Sequence, residues 1–170
     1  YNRLIANRSR YADERQFHFE LWILTLKDPV YLDGLWQTEK YFKEIEETIK
    51  KDFTLKNGMG EKSKMIEREI INFESISIHI RRDDYISDKK TNEWIGVCPP
   101  EYYEKAIREM IKKIVNPHFF VFSDDPGWAK NNIKTKHPVI YVSGNIEHPE
   151  EDLYLMSICK NHIIANSSFS

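Results

Sequence analysis

Two arginines followed by two aspartates form the segment of this chain whose residue types are best suited to binding chemistry. The segment Arg81-Arg-Asp-Asp84 comes directly after Ser75-Ile-Ser-Ile-His-Ile80, in which isoleucines alternate with polar residues. This alternation predicts a buried β-strand, in which His79 and Arg81 share one face and Arg82 lies on the other. Because a planar guanidinium matches the oxygens of a phosphate, the strand end is a candidate anion site. The alternative is a solvated turn, whose exposed ion pairs each contribute about 0–1 kcal/mol.

Three further apolar segments have the length of strands and lead into small or charged residues. The predicted strands are 118–122, 138–142 and 162–165, and the segments that follow them are Ser123-Asp-Asp125, Ser143-Gly-Asn145 and Asn166-Ser-Ser168. Helical segments separate these strands, and one of them is expected to begin at Pro99-Pro-Glu101. Parallel strands need such crossovers, so the alternation predicts an α/β fold with a parallel sheet.

The carboxyl ends of parallel strands lie at one edge of their sheet, where open α/β sheets bind their ligands. The four strand ends are therefore expected to line one polar, partly cationic crevice. A nucleotide diphosphate held by Arg81 and by the backbone of Asn166-Ser-Ser168 is the simplest ligand that uses these residues. No Gly-x-Gly-x-x-Gly or Walker sequence occurs, which counts against ordinary dinucleotide enzymes and P-loop phosphotransferases.

Two other segments carry expectations about structure. Within residues 38–53, apolar side chains recur at helical spacing, which predicts a helix capped by Thr38 with one stripe in the core. The stripe consists of Tyr41, Phe42, Ile45, Ile49 and Phe53. Residues 86–98 are expected to form a polar connection.

Composition restricts the class of protein. The chain has 170 residues, is 41% hydrophobic and carries a net charge of −2 from 25 basic and 27 acidic residues. This predicts a globular protein with one core, or one lobe with part of another, and it argues against general nucleic-acid binding. Cys98 and Cys159 allow at most one disulfide, so a reducing compartment is expected. No apolar run approaches the roughly 20 residues of a membrane span, so no transmembrane segment is expected in this chain.

Several ordered motifs between residues 29 and 170 are specific enough to compare with known families. They are Tyr31-Leu-Asp-Gly-Leu-Trp-Gln37, His79-Ile-Arg-Arg-Asp-Asp-Tyr85, Phe122-Ser-Asp-Asp125 with Trp128, and Asp152-Leu-Tyr-Leu-Met-Ser-Ile-Cys159 leading to Ile163-Ile-Ala-Asn-Ser-Ser-Phe-Ser170. Together they resemble the α-1,2-fucosyltransferases of glycosyltransferase family 11, and the first motif resembles the bacterial members. One departure is Asp83, where the family usually has glycine, so either a distorted turn or an additional anion beside the donor phosphates is expected.

The resemblance implies a sugar-nucleotide transferase of the two-lobed GT-B type, with a Rossmann-like donor lobe. It implies transfer of L-fucose from GDP-fucose to the 2-hydroxyl of a galactose-containing glycan, with inversion at the anomeric carbon and with neither a metal ion nor another cofactor. Residues 1–73 would be the end of the N-terminal, acceptor-side lobe with its connecting helices, and residues 74–170 the GDP-fucose-binding lobe. The lack of an initiating Met and the ending Asn166-Ser-Ser-Phe-Ser170 lead us to expect a fragment that is truncated at its C terminus.

The resemblance also implies roles for individual residues. Arg81 would bind the diphosphate and offset the charge on departing GDP, while His79 and Asp152 would face the guanine. Independently of the resemblance, Asp84 is a second catalytic candidate: Asp84 or Asp125 is placed by residue type to take the acceptor proton, although a supporting contact to the arginines is the preferred role for each. The remaining donor-binding candidates are Arg82, Asp124, Asn166, Ser167, Ser168 and Phe169.

Competing interpretations exist for several of these features. Asp124 and Asp125 are few ligands for Mg²⁺, so positioning or helix capping is preferred over metal binding. The four tryptophans are candidates for stacking on sugar rings, with core packing preferred for at least Trp22; the other three are Trp36, Trp94 and Trp128. A non-catalytic sugar-nucleotide-binding module and a purely structural α/β domain are the alternatives to an enzyme. Because Lys, Ile and Asn are plentiful and the first motif is of the bacterial kind, we expect a bacterial cytoplasmic enzyme, peripheral to the inner membrane, that acts on surface-polysaccharide precursors.

Overall fold

A computed structural model describes residues 11–16, 18–27, 29–143 and 147–170 of the chain. The chain divides into two compact units, Tyr1–Phe53 and Thr54–Ser170. The second unit contains all four predicted strands and every candidate site residue.

The first unit contains a pair of short parallel strands, β1 (Tyr11–Asp13) and β2 (Tyr31–Asp33). The carboxylate of Glu14 accepts hydrogen bonds from the backbone N–H groups of Leu35 (2.7 Å) and Trp36 (3.1 Å), which closes the turn after β2. The remaining described elements of this unit are the 3₁₀ helices Leu21–Thr25, Glu39–Tyr41 and Lys43–Ile45 and the helix α1 (Glu46–Asp52).

The apolar stripe expected in the core of this unit is largely exposed, so this prediction is wrong. The exposed fraction is 39% for Phe42, 54% for Ile45 and 70% for Phe53. The reason is local: 3₁₀ turns occupy most of residues 39–45, so the 3.6-residue spacing on which the stripe depends begins only with α1. Thr38 precedes the first of these turns without a side-chain capping hydrogen bond.

The second unit is organised around a four-stranded parallel sheet. Its strands are β3 (Glu74–Ile80), β4 (Pro117–Ser123), β5 (Val139–Tyr141) and β6 (Asn161–Ile163). Their order across the sheet is β5-β4-β3-β6, and all neighbouring pairs run parallel. Counted from β3, this is the 3-2-1-4 order of a Rossmann sheet. The predicted α/β fold with a Rossmann-like parallel sheet is confirmed, whereas the two-lobed GT-B arrangement stays a prediction.

The described helices of this unit are α2 (Glu61–Asn72), α3 (Asp83–Ser87), α4 (Lys89–Trp94), α5 (Pro100–Lys113), α6 (Pro126–Asn132) and α7 (Pro149–Ser157). Of these, α5 and α6 cover one face of the sheet, and α2 and α7 cover the other. On one face, Tyr103 of α5 packs with the buried isoleucines of β3. On the other, Ile70 of α2 and Leu155 of α7 pack with Phe120 and Phe122 of β4. Burial of each such side chain contributes about 1.5–3 kcal/mol, so this double core fixes the strand ends that carry the candidate site.

Residues 86–98, expected to form a polar connection, contain the end of α3 and all of α4. Asp88 caps α4, since its carboxylate accepts a hydrogen bond from the N–H of Lys90 at 3.0 Å. Gly96, with a φ of 69°, follows the end of the same helix. An aspartate before a short segment and a glycine after it are common at the two ends of a helix. Helix α4 could therefore have been predicted from the sequence.

Helix α2 belongs to the same compact unit as the sheet. Besides the packing of Ile70, the Glu151 carboxylate of α7 accepts hydrogen bonds from the N–H of Gly60 (2.9 Å) and the hydroxyl of Ser63 (2.5 Å). The unit therefore begins at Thr54, upstream of the lobe boundary expected near Phe73. That division into lobes stays a prediction.

Candidate functional site

The register of the two central strands brings the adjacent arginines and the adjacent aspartates together. The last residues of β3 and β4, Ile80 and Ser123, lie opposite each other. The residues that follow the two strands therefore also meet in pairs. Arg81 Nε lies 3.4 Å from Asp124 Oδ2. One position further along, Arg82 Nε lies 3.5 Å from Asp125 Oδ2. These four residues, which we call the arginine–aspartate ladder, join two strand ends at the edge where open parallel sheets bind ligands.

Both aspartates of the ladder cap helices. The Asp124 carboxylate accepts hydrogen bonds from the backbone N–H groups of Arg82 (3.0 and 3.1 Å) and Asp83 (3.1 Å) at the start of α3. The Asp125 carboxylate accepts one from the N–H of Trp128 (2.9 Å) at the start of α6. The predicted capping role is confirmed for both aspartates, and caps of this kind contribute about 0.5–2 kcal/mol each.

Asp83 does not distort the turn in which it replaces the glycine usual in the family. It is the first residue of α3, and it is not among the described residues that have a positive φ. A helical backbone accommodates any L-residue except proline without strain, and a carboxylate in the first turn of a helix is favourable. The expectation of a distorted turn is therefore wrong, and Asp83 instead adds an exposed anion to this edge.

Arg81 lies between two carboxylates. Its Nε is 2.9 Å from Asp84 Oδ1 as well as 3.4 Å from Asp124 Oδ2. The hydrogen bond with Asp84 raises the pKa of Arg81 and lowers the pKa of the Asp84 carboxyl. Both of these contacts are made by Nε. Bidentate binding of a phosphate uses two nitrogens of the guanidinium. Since 35% of its side chain is exposed, Arg81 is accessible to a ligand.

Arg82 is more deeply placed than Arg81. Its side chain is 15% exposed, and its guanidinium carbon lies 4.1 Å from the ring centre of Trp128. Trp128, a candidate for stacking on a sugar, therefore stacks on an arginine. Arg81 instead lies near Tyr85, with 6.0 Å between the guanidinium carbon and the ring centre.

The edge around the ladder is acidic, which corrects the expectation of a partly cationic crevice. Residues 81–84 and 124–125 comprise two arginines and four aspartates. A cleft of about 420 Å³ beside the ladder is lined by Asp83, Ile86, Ser87, Asp124, Asp125 and Pro126. Carboxylates accept hydrogen bonds from hydroxyl groups and repel phosphates, so this cleft suits a hydroxyl-rich ligand better than a diphosphate.

His79 is a buried, uncharged imidazole near the end of β3. It is 5% exposed, and burial together with the positive charge of Arg81 lowers its pKa to about 4. Its ring centre lies 5.5 Å from that of Phe169. Within the described part of the chain, its Nδ1 has no hydrogen-bond partner. A buried polar atom usually has one, so this unpaired nitrogen makes His79 a candidate ligand contact.

The segment 166–170 follows β6, which pairs with β3 at the point where the strand order reverses. The side-chain amide of Asn166 donates hydrogen bonds to the backbone oxygens of Ile95 and Gly96, both at 3.0 Å. The hydroxyl of Tyr85 donates to the backbone oxygen of Asn166 at 3.1 Å. Asn166 therefore holds this segment against the residues that follow α4, and its contact with a donor stays a prediction.

The other predicted donor-binding residues occupy different environments. Ser167 Oγ accepts a hydrogen bond from the N–H of Phe169 at 3.2 Å, which shapes the turn, and Ser168 is exposed. Asp152 is half-buried in the first turn of α7. Of the predicted strand end Ser143-Gly-Asn145, the last two residues lie outside the described residues.

Three other features were tested across the described residues. No group of three or more His, Cys, Asp or Glu side chains among them is placed to hold a metal ion. Cys98 and Cys159 are both free thiols, the second of them buried. No helix in the described ranges combines the length and the apolar character needed to cross a membrane. Metal independence stays a prediction.

Comparison with known proteins decides the family. The sequence profile of Glycosyl transferase family 11 matches residues 6–170. The chain belongs to this family. Every candidate site residue lies inside the match, so the resemblance that their motifs carry is confirmed.

Relatives of this family 11 chain occur in bacteria and mammals. An alpha-1,2-colitosyltransferase of Escherichia coli is 40% identical over 150 residues, which cover 86% of this chain and 51% of the relative. The O-antigen biosynthesis glycosyltransferase WbnK of Escherichia coli is 45% identical over 101 residues, which cover 58% and 33%. Galactoside alpha-(1,2)-fucosyltransferase 1 of Mus musculus is 27% identical over 155 residues, which cover 85% and 41%. The chain thus spans about half the length of these curated relatives, or less. No solved structure gives a significant match.

Proposed function

We propose that this chain forms the donor site of a galactoside 2-α-L-fucosyltransferase, which transfers L-fucose from GDP-fucose to the 2-hydroxyl of a galactose-containing glycan. The observation that carries the proposal is the position of Arg81, accessible at the carboxyl end of the central strand and beside the point where the strand order reverses. Membership of family 11 supports sugar transfer, and the names of the relatives support an α-1,2 linkage.

Departure of GDP is the step that Arg81 assists in this proposal. As the bond between the anomeric carbon and the diphosphate breaks, negative charge develops on the phosphate oxygens, and a guanidinium already held in place by Asp84 and Asp124 stabilises it. The arginine thus does the work for which other transferases use a metal ion. The acceptor hydroxyl attacks the anomeric carbon from the opposite side of the sugar, which inverts the anomeric configuration, and its proton is released to water.

Asp84 is better suited to orienting Arg81 than to removing the acceptor proton. Its hydrogen bond with Arg81 lowers its pKa, whereas a general base works best with a pKa near the working pH. Asp125 is similarly committed to Arg82 and to the cap of α6. We therefore assign Asp84 the orienting role; the base role would require its ion pair with Arg81 to open.

The guanine end of the donor is assigned to His79 and Asp152. The free Nδ1 of His79 and the neighbouring ring of Phe169 offer a polar contact and an aromatic surface to a base. A carboxylate such as Asp152 accepts hydrogen bonds from the N–H groups of guanine. Residues 166–168 would then close around the phosphates or the sugar.

The identity of the sugar has a specific alternative. The colitosyltransferase relative covers most of this chain, and colitose is the 3-deoxy counterpart of L-fucose. A site that hydrogen-bonds the 3-hydroxyl would reject the deoxy sugar by a large factor, whereas a site without such a contact would accept both. Comparing donors with and without this hydroxyl therefore distinguishes the two assignments.

A non-catalytic role is the second candidate function, and the ladder is the observation that favours it. Both of its arginines already have carboxylate partners, an arrangement that also serves to brace two strand ends. In that case the chain would either bind a sugar nucleotide without turnover or bind none.

Calorimetric titration of GDP into the intact protein, in EDTA, tests the donor site. We expect micromolar affinity without metal ions, which Arg81→Ala weakens by about 1.5–3 kcal/mol, the contribution of a hydrogen bond to a charged group. Arg108→Ala is the matched control, because Arg108 also pairs with a carboxylate, that of Glu104, on the exposed surface of α5. An absence of GDP binding, or equal binding by Arg81→Ala, would contradict the donor site.

Turnover separates the enzyme from the binding module. With GDP-fucose and a galactoside, we expect acceptor-dependent release of GDP and a product whose linkage is α-1,2 by NMR. GDP binding without turnover on any galactoside would favour the module. The Escherichia coli relatives, one of them named for O-antigen biosynthesis, support a bacterial reaction on surface-polysaccharide precursors, which our proposal places in the cytoplasm, at the inner membrane.

A further inference from the structure

Trp128 has a contact that the reaction proposed above does not explain. The guanidinium of Arg82 lies over its ring at 4.1 Å. From another direction, the ring of Tyr103, a fully buried residue of α5, meets the indole in an edge contact at 6.1 Å between ring centres. The indole is thus fixed by the core on one side and presents a rigid aromatic face to an arginine on the other.

Arg82 connects this aromatic face to the rest of the site. Its guanidinium lies against the Trp128 ring, and its Nε is 3.5 Å from Asp125 Oδ2 without a hydrogen-bond partner among the described residues. Only 15% of its side chain is exposed. Its backbone N–H donates to Asp124, the carboxylate that lies beside Arg81. A displacement of the Arg82 side chain would therefore move the backbone that orients Asp124.

We propose that Trp128 is a positioning residue of the phosphate site. Its ring fixes Arg82, the Arg82 backbone fixes Asp124, and Asp124 together with Asp84 directs the guanidinium of Arg81. This inference rests on the proposed function, in which Arg81 binds the donor diphosphate. A cation over a tryptophan face is held most strongly where water is excluded, and the low exposure of Arg82 meets that condition.

The test compares ligands with and without phosphates on variants that keep or remove the aromatic face. In Trp128→Leu, we expect GDP affinity of the intact protein, measured by calorimetry, to fall about 5- to 30-fold. Guanosine affinity, measured by NMR titration, should stay unchanged, because guanosine does not reach Arg81. Trp128→Phe retains a ring beneath Arg82 and should recover most of the GDP affinity.

A double variant tests whether Trp128 acts through Arg82. In an Arg82→Met background, Trp128→Leu should cause no further loss of GDP affinity, since the partner of the ring is already absent. Equal losses for GDP and guanosine, or additive losses in the double variant, would overturn the inference, because a general weakening of the core affects both ligands and both backgrounds. If Trp128→Leu does not fold, Arg82→Met and Trp128→Phe still test the inference: Arg82→Met should lower GDP affinity without changing guanosine affinity, whereas Trp128→Phe should nearly match the unmodified protein, and any other pattern overturns it. If the Trp128 variants bind GDP as tightly as the unmodified protein, the inference is overturned and the proposed function is not. If the unmodified protein does not bind GDP, both the inference and the proposed function are overturned.

Discussion

Replacing Asp124 with alanine removes more interactions than any other single change in the ladder. The carboxylate accepts hydrogen bonds from two backbone N–H groups at 3.0–3.1 Å and lies 3.4 Å from Arg81 Nε. Its side chain is 18% exposed, so water only partly replaces what is lost. A cap contributes about 0.5–2 kcal/mol, and hydrogen bonds to a charged group about 1.5–3 kcal/mol. Because these estimates describe overlapping contacts, we expect the free energy of unfolding to fall by about 2–3 kcal/mol.

Urea denaturation of the intact protein measures this change. With a slope of about 2 kcal/mol per molar urea, the middle of the usual range, the midpoint of the unit that contains the sheet should move down by about 1–1.5 M. Asp124→Asn keeps one oxygen for a backbone N–H but loses the charge, so it should lie between the wild type and Asp124→Ala. Glu104→Ala, which breaks an exposed ion pair on α5, is the control and should shift the midpoint little.

The same variants separate stability from binding. Arg81→Ala removes two partly exposed ion pairs but leaves the backbone hydrogen bonds of Asp124 in place, so the urea midpoint should fall by less than in Asp124→Ala while GDP affinity falls. Asp124→Ala should lower both quantities, since it loosens α3 and also misdirects Arg81. A midpoint for Asp124→Ala that matches that of Glu104→Ala would refute the reasoning that this carboxylate holds the two strand ends together.

Two further predictions concern buried ionisable groups. His79 has a pKa of about 4 in the folded protein and of about 6.5 in the unfolded chain. The unfolded chain therefore binds more protons between these two pH values. The contribution of neutral His79 to the free energy of unfolding is fully present above about pH 6.5 and is lost as the pH falls towards 4. The slope of urea midpoint against pH should therefore be smaller in His79→Gln, and an unchanged slope would contradict the buried, neutral state. Burial raises the pKa of the Cys159 thiol to about 12, so at pH 8 Cys159 should resist a disulfide reagent that modifies the half-buried Cys98. Following the reagent's absorbance in Cys98→Ser and Cys159→Ser variants checks this, and equal rates in the two variants would count against it.

The strands of the sheet were predictable because their patterns are local. Alternating isoleucines in β3 and the run of phenylalanines in β4 each identify a buried strand without any knowledge of its partner. Pro100 likewise indicates where α5 begins, since its fixed φ suits the first turn of a helix.

The ladder was not predictable in the same way, because it depends on register. The sequence shows two arginines after one strand and two aspartates after another, but only the alignment of the strand ends decides which arginine meets which aspartate. The stacking of Arg82 on Trp128 depends further on the path of α6 over the sheet. The hydrogen bonds of the Asn166 amide to Ile95 and Gly96 depend in the same way on how the chain after α4 approaches the end of β6, which no local pattern shows.

The ladder also determines when the site can form during synthesis of the chain. Arg81 and Arg82 leave the ribosome well before Asp124 and Asp125, because α5 and the strand β4 come between them. Until β4 has been made and has paired with β3, both guanidinium groups lack the carboxylates that hold them across the sheet, and the N terminus of α3 lacks its cap. The contact of His79 with Phe169 forms later still. Formation of the site therefore requires that nearly all of this unit has been made, and a nascent chain that stops before β4 leaves Arg82 without its partner Asp125 and Arg81 with Asp84 alone.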